Sequence, residues 1–200
     1  LLNGTPFTYG HVVVDEAQDH SAVALRVIGR RSLHGSCTLV GDVAQSTTPA
    51  GQQRWEDVFA FLLPTVVDAD RGGSVAALTI GYRVPEPILA VANRLLPLTG
   101  VDAAPSRSVR VAGTPPVWER VAVEALAPAV AQAVARVKHR HRLTGVVAPE
   151  PLHPGIAEAL AGHGLRAADH VHELAGGDVP VFGPEAVKGL EFDGVVVVNP

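Results

Sequence analysis

Short β-branched runs alternate with amphipathic stretches along nearly the whole chain, the pattern of an α/β fold built on parallel sheet. Residues 11–14 (HVVV) predict a first strand that runs into Asp15. Residues 21–30 predict a helix with Ser21 at its N-cap. A second strand is expected over 38–42, and a helix over 55–63 that stops at Pro64. The Gly- and Asp-rich segment 64–74 is the expected boundary between two parts of the chain. Beyond it the pattern restarts, with a strand over 77–80 and a helix over 85–96 that has proline near its start. Residues 99–116 read as loop, and 121–142 as an Ala/Val-rich helix kinked at Pro128. A short strand at 146–147, a helix over 155–162 and buried strands over 179–182 and 195–198 complete the pattern.

Composition narrows the function classes. With 47% hydrophobic and 18% charged residues, a chain of 200 can bury a substantial core, so intrinsic disorder is excluded. The apolar runs are far shorter than the roughly 20 residues that cross a bilayer, so no membrane partner is expected. No secretory signal pattern opens the chain. Cys37 is the single cysteine, which excludes an internal disulfide and suits a reducing compartment; a cytoplasmic location is expected. A net charge of -4 gives no global attraction to phosphate backbones, so nucleic-acid contact must be local. Methionine is missing even at residue 1, and a piece of a longer chain is the expected reading. Lys138 and Lys188 are the only lysines in an arginine-rich chain, which draws attention to Lys188.

Candidate chemistry gathers at strand ends. The first strand ends in Asp15-Glu16-Ala17-Gln18-Asp19. In parallel sheets ligands sit beyond the carboxyl ends of strands. One carboxylate there can hold Mg²⁺ through its water shell while its neighbour orients an attacking water, the two jobs that phosphoryl transfer needs side by side. The alternative is that the acids cap the next helix or face solvent. The second strand ends in Gly41-Asp42-Val43-Ala44-Gln45, and neighbouring strands lie about 4.8 Å apart, so its polar groups would meet the same crevice. A glutamine there can bond both a terminal phosphate and the attacking water.

Two further blocks follow. Tyr82 offers a face for a flat base and Arg83 a fork for phosphate oxygens; the alternative is a surface arginine beside a half-buried tyrosine. Residues 188–193 (KGLEFD) lead into the last strand, where Gly189 allows close backbone approach and Glu191 can accept from a ribose hydroxyl. As a bare string this is also an ordinary turn.

In order, DEAQD (15–19), GDVAQ (41–45), GYR (81–83) and KGLEFD (188–193) resemble motifs II to V of the superfamily-one helicases of the UvrD/Rep type. The resemblance spans essentially the whole chain. It implies a parallel-sheet RecA-like (P-loop NTPase) architecture, with 1–70 as the later part of a first RecA-like domain and 75–200 as most of a second. ATP would bind in the cleft between them. It implies Asp15 as the magnesium aspartate, Glu16 as the water-activating base and Gln45 as the γ-phosphate sensor. It further implies Asp42, in the motif III turn, as a nucleotide-binding residue, Tyr82 on the adenine, Arg83 as the arginine finger and Glu191 on the ribose. Lys188 and Gly189 would form the turn that couples nucleotide state to the nucleic-acid track.

The departures are specific. Gln45 is followed by Ser46-Thr47-Thr48-Pro49, where DNA-translocating members carry an aromatic platform for single-strand bases. Gly81 stands where Asn or Ser is usual before Tyr-Arg, and the histidine upstream of motif V is missing. Together with 12–19 (VVVDEAQD), the Arg30-Arg31 region, 55–57 (WED) and the ending KGLEFDGVVVVNP, these features resemble the HelD branch. That branch implies an ATPase that binds RNA polymerase and releases it from nucleic acid. The other readings are a DNA helicase of repair and a non-catalytic, protein-binding remnant of the helicase fold. The Walker A signature is absent from all 200 residues, so this chain alone is expected not to hydrolyse ATP.

Overall fold

Three consecutive valines set the first strand, β1 (Val12–Val14), which pairs in parallel with β2 (Cys37–Leu39) in the register Val12↔Cys37 to Val14↔Leu39. The structure is a computed structural model that describes residues 7–46, 48–63, 74–168 and 178–199. It is mixed α/β with small parallel sheets and divides into two compact units, Leu1–Val117 and Trp118–Pro200. All but Ser74 of the expected boundary at 64–74 lies outside the described residues.

In the first unit, Ser21 caps α1 (Ala22–Gly29): its Oγ accepts from the Ala24 amide at 3.2 Å. Helix α2 (Trp55–Leu62) stacks against α1, and Val14, Ala17, Leu25, Val58 and Leu62 form one buried core beneath β1. The close approach of the two helices depends on Gly29, where a Cβ would overlap the Leu62 carbonyl oxygen. Farther along, β3 (Ile80–Gly81) pairs in parallel with β4 (Arg107–Ser108), and α3 (Glu86–Leu95) packs on β4. The strand expected over 77–80 is reduced to its last residue plus Gly81, and the expected loop over 99–116 contains β4.

The second unit carries a four-stranded parallel sheet in the order β6-β7-β5-β8. Its strands are β5 (Thr144–Val147), β6 (Arg166–Ala168), β7 (Asp178–Phe182) and β8 (Gly194–Val197). Helices α4 (Leu126–Lys138) and α5 (His153–Gly162) pack on each other and on the sheet. Val130, Val134, Ile156 and Leu160 from the helices meet Val146, Val179 and Val181 from the sheet in the buried core. Central β7 is buried along its whole length, as expected of a parallel strand covered on both faces. Helix α4 begins at Leu126 instead of 121, so Pro128 falls in the first turn, where a missing N–H costs no intrahelical bond. Strand β6 was not anticipated from the chain pattern, because Arg-Ala-Ala has no β-branched residue; its ladder to β7 makes it a strand.

Candidate functional site

The two predicted strand-end blocks of the first unit come together as one hydrogen-bonded cluster. At the carboxyl end of β1, Glu16 adopts φ 49° and ψ 43°, a left-handed conformation that side chains other than glycine rarely hold. Non-glycine residues in this region are strained and persist where their surroundings over-determine them, most often at functional sites. The surroundings here are specific. The Glu16 amide donates to Asp15 Oδ1 at 2.9 Å, and Glu16 Oε2 accepts from Gln18 Nε2 at 2.6 Å. The Ala17 amide donates to the Val40 carbonyl at 3.0 Å, tying the turn to the end of β2.

The second turn is organised by Asp42. Its Oδ1 accepts from the Ala44 amide at 3.0 Å and its Oδ2 from Gln45 Nε2 at 2.7 Å, so aspartate caps the turn and holds the glutamine side chain. The Asp42 amide donates to Gln18 Oε1 at 3.1 Å, which joins the two turns. Asp15, Glu16, Asp42 and Gln45 all remain exposed, above a base in which Ala17, Gln18 and Val43 are buried.

Two contributors to that base were missed as site residues. Gln18 was noted only as part of its block, and it is fully buried. Gln52 donates its amide to the Gln18 carbonyl at 2.6 Å, while its side chain donates to the carbonyls of His20 and Ala50. The flanking sequence carries no signal for either, since Gln18 sits between Ala17 and Asp19 and Gln52 between Gly51 and Gln53; their burial, which requires a polar group to be bonded, is what identifies them.

Tyr82 and Arg83 occupy an exposed turn after β3. The turn is stitched by residues that local pattern did not single out. Arg110 Nη1 donates to the Arg83 carbonyl, and Ser108 Oγ to the Val84 carbonyl at 2.6 Å. Glu86 Oε2 accepts from the Ser108 amide at 2.9 Å, and the Glu86 amide donates to the Arg110 carbonyl at 2.9 Å. The backbone is thereby held while both side chains point outward, a geometry suited to stacking and to phosphate contact.

Lys188, Gly189 and Glu191 belong to the second unit. Gly189 takes φ 76°, the conformation that glycine supplies at least cost. The segment is anchored at its far end, where Asp193 Oδ2 accepts from the Leu143 amide at 2.9 Å and the Asp193 amide donates to the Leu143 carbonyl at 2.8 Å. Phe192 lies against Gly145, where a Cβ would stand 2.7 Å from its ring, and its centroid is 6.5 Å from that of Phe182. Phe192 and Asp193 thus hold the strand entry, and Lys188 is half-buried at the turn.

Among the described residues no group of three or more His, Cys, Asp or Glu side chains is arranged to hold a metal ion. Magnesium usually takes only one or two protein carboxylates, with waters and substrate phosphates completing its shell. Exposed Asp15, a single carboxylate at the end of β1, fits that donor set. No helix among the described residues is long and apolar enough to cross a membrane. No family model matches the chain, and no curated protein matches it.

Proposed function

We propose that this chain carries the hydrolytic elements of an ATP-dependent, helicase-like motor of RecA-like architecture. Its work would be the release of RNA polymerase from nucleic acid in the cytoplasm. The observation that carries the reading is Glu16: a strained carboxylate at the carboxyl end of a parallel strand, gripped by Gln18 and set beside the Asp42–Gln45 turn. Glycine or asparagine would hold this backbone at lower cost, and a task for the carboxylate accounts for glutamate at the position.

In this reading Asp15 would hold Mg²⁺ through water, and the ion would supply charge neutralisation on the phosphates. Glu16 orients the attacking water and accepts its proton. Gln45, steadied by Asp42, offers its amide to the terminal phosphate. Arg83, on its stitched turn, lends a guanidinium to the charge that develops as the phosphoryl group departs. Tyr82 offers its ring to the base. Lys188 and Gly189 form the turn that conveys nucleotide state. The polymerase reading is favoured over strand unwinding because no aromatic follows Gln45 until Trp55, so a base-stacking platform is not supplied there.

The test uses the longer polypeptide that would contain this chain and a phosphate-binding loop. Mg²⁺-dependent ATP turnover is expected, falling at least 100-fold in Glu16→Gln. The same polypeptide should retain RNA polymerase in a pull-down and fail to unwind a tailed duplex. Turnover unaffected by Glu16→Gln would remove the catalytic assignment, and efficient unwinding without polymerase binding would favour the DNA-repair reading instead.

A further inference from the structure

Gln18 is 0% exposed, yet it brings a carboxamide whose donor and acceptor must both be satisfied inside the protein. Both are, and by groups on different turns. Nε2 donates to Glu16 Oε2 at 2.6 Å, and Oε1 accepts from the Asp42 amide at 3.1 Å. The backbone is held as well, through the Gln52 amide at 2.6 Å. Space for the carboxamide is left by Gly41, where any Cβ would overlap Oε1 and sit 3.1 Å from the Ala17 amide nitrogen.

The residue type follows from these bonds. A carboxylate on one side calls for a donor and a backbone N–H on the other calls for an acceptor, at a fixed separation. Glutamate lacks the donor, lysine lacks the acceptor, asparagine is one methylene too short, and leucine has neither. Filling this volume with an apolar side chain would avoid desolvating an amide, so the polar choice is explained by what its two bonds specify.

We infer that Gln18 is a positioning residue: a strut that sets the Glu16 carboxylate at a fixed distance from the Asp42–Gln45 turn, so that a shift of either turn is passed to the other. Its purpose rests on the nucleotide-hydrolysis reading above; the strut itself is a property of this chain and is testable without nucleotide.

The first arm measures amide hydrogen exchange on the 200-residue chain. Gln18→Leu removes the acceptor and is expected to speed exchange of the Asp42 amide about tenfold or more. Gln18→Glu keeps an acceptor at the same reach, so Asp42 stays protected while the grip on Glu16 is lost; this variant also serves where the leucine variant does not fold. The second arm measures ATP turnover of the longer polypeptide. Both variants should lower kcat roughly 10–100-fold with KM for ATP held within about twofold, the signature of a misplaced catalytic group instead of lost binding. Unchanged Asp42 exchange in Gln18→Leu overturns the strut. So does a wild-type kcat in Gln18→Glu alongside loss of turnover in Glu16→Gln. If the longer polypeptide turns over no ATP at all, the hydrolysis reading fails and the exchange measurement alone decides the strut.

Discussion

Replacing Gly41 with alanine adds one methyl group, and the structure states what it meets. Gly41 is not in the left-handed region, so alanine is compatible with the backbone and gains about 0.4–1 kcal/mol by restricting the unfolded chain. Against that stands the overlap with Gln18 Oε1, with the Ala17 amide nitrogen only 3.1 Å away on the rigid side. The carboxamide has to leave its position, which gives up its bonds to Glu16 and to the Asp42 amide. Each buried polar group left unsatisfied costs about 1–3 kcal/mol. The net expectation is a loss of about 2–4 kcal/mol, or a fall of roughly 8–16 °C in the Tm of a unit of this size. Thermal unfolding of the whole chain, followed by circular dichroism, is the assay. A double-mutant cycle makes the cause explicit: in a Gln18→Ala background the new methyl has no carboxamide to displace, so Gly41→Ala should cost almost nothing there, a coupling of about 2–4 kcal/mol. A neutral or stabilising Gly41→Ala, or strict additivity in the cycle, would refute the claim that the Gly41 notch exists to seat Gln18.

Two further perturbations test the frame around the site. Gly29→Ala should destabilise by about 1–3 kcal/mol in chemical denaturation, because overlap with the Leu62 backbone outweighs the roughly 1 kcal/mol that alanine gains in a helix; an increase in stability would show that α1 and α2 can part freely. Glu56, in the first turn of α2, has its carboxyl held below the ordinary 4.5 by a bond from its own backbone N–H, and further by a bond to and the charge of Arg54. A depressed pKa in the folded state means that Glu56 contributes stability above pH 4.5, and that this is lost as pH falls through the folded value. Glu56→Gln should therefore narrow the difference between Tm at pH 7 and at pH 3, and an unchanged difference would remove Glu56 from the acid response.

Periodicity was enough to place β1, α1, α2, α5 and β7 within a residue or two, because alternating and helical patterns report burial, and burial is what makes those segments regular. The same local chemistry put Asp15, Glu16, Asp42 and Gln45 at strand ends, where the backbone turns and polar groups are exposed. Local pattern could not supply what depends on partners far along the chain. Gln18 owes its role to Asp42, 24 residues away, and the Tyr82-Arg83 turn owes its shape to Arg110, 27 residues beyond Arg83. Strands β4 and β6 exist because a parallel neighbour accepts their backbone groups, not because Arg-Ser or Arg-Ala-Ala favours extension. The left-handed backbone of Glu16 has the same origin: no propensity of glutamate leads to it, and only the closure of β1 onto β2 through Ala17, Val40 and Gln18 holds it there.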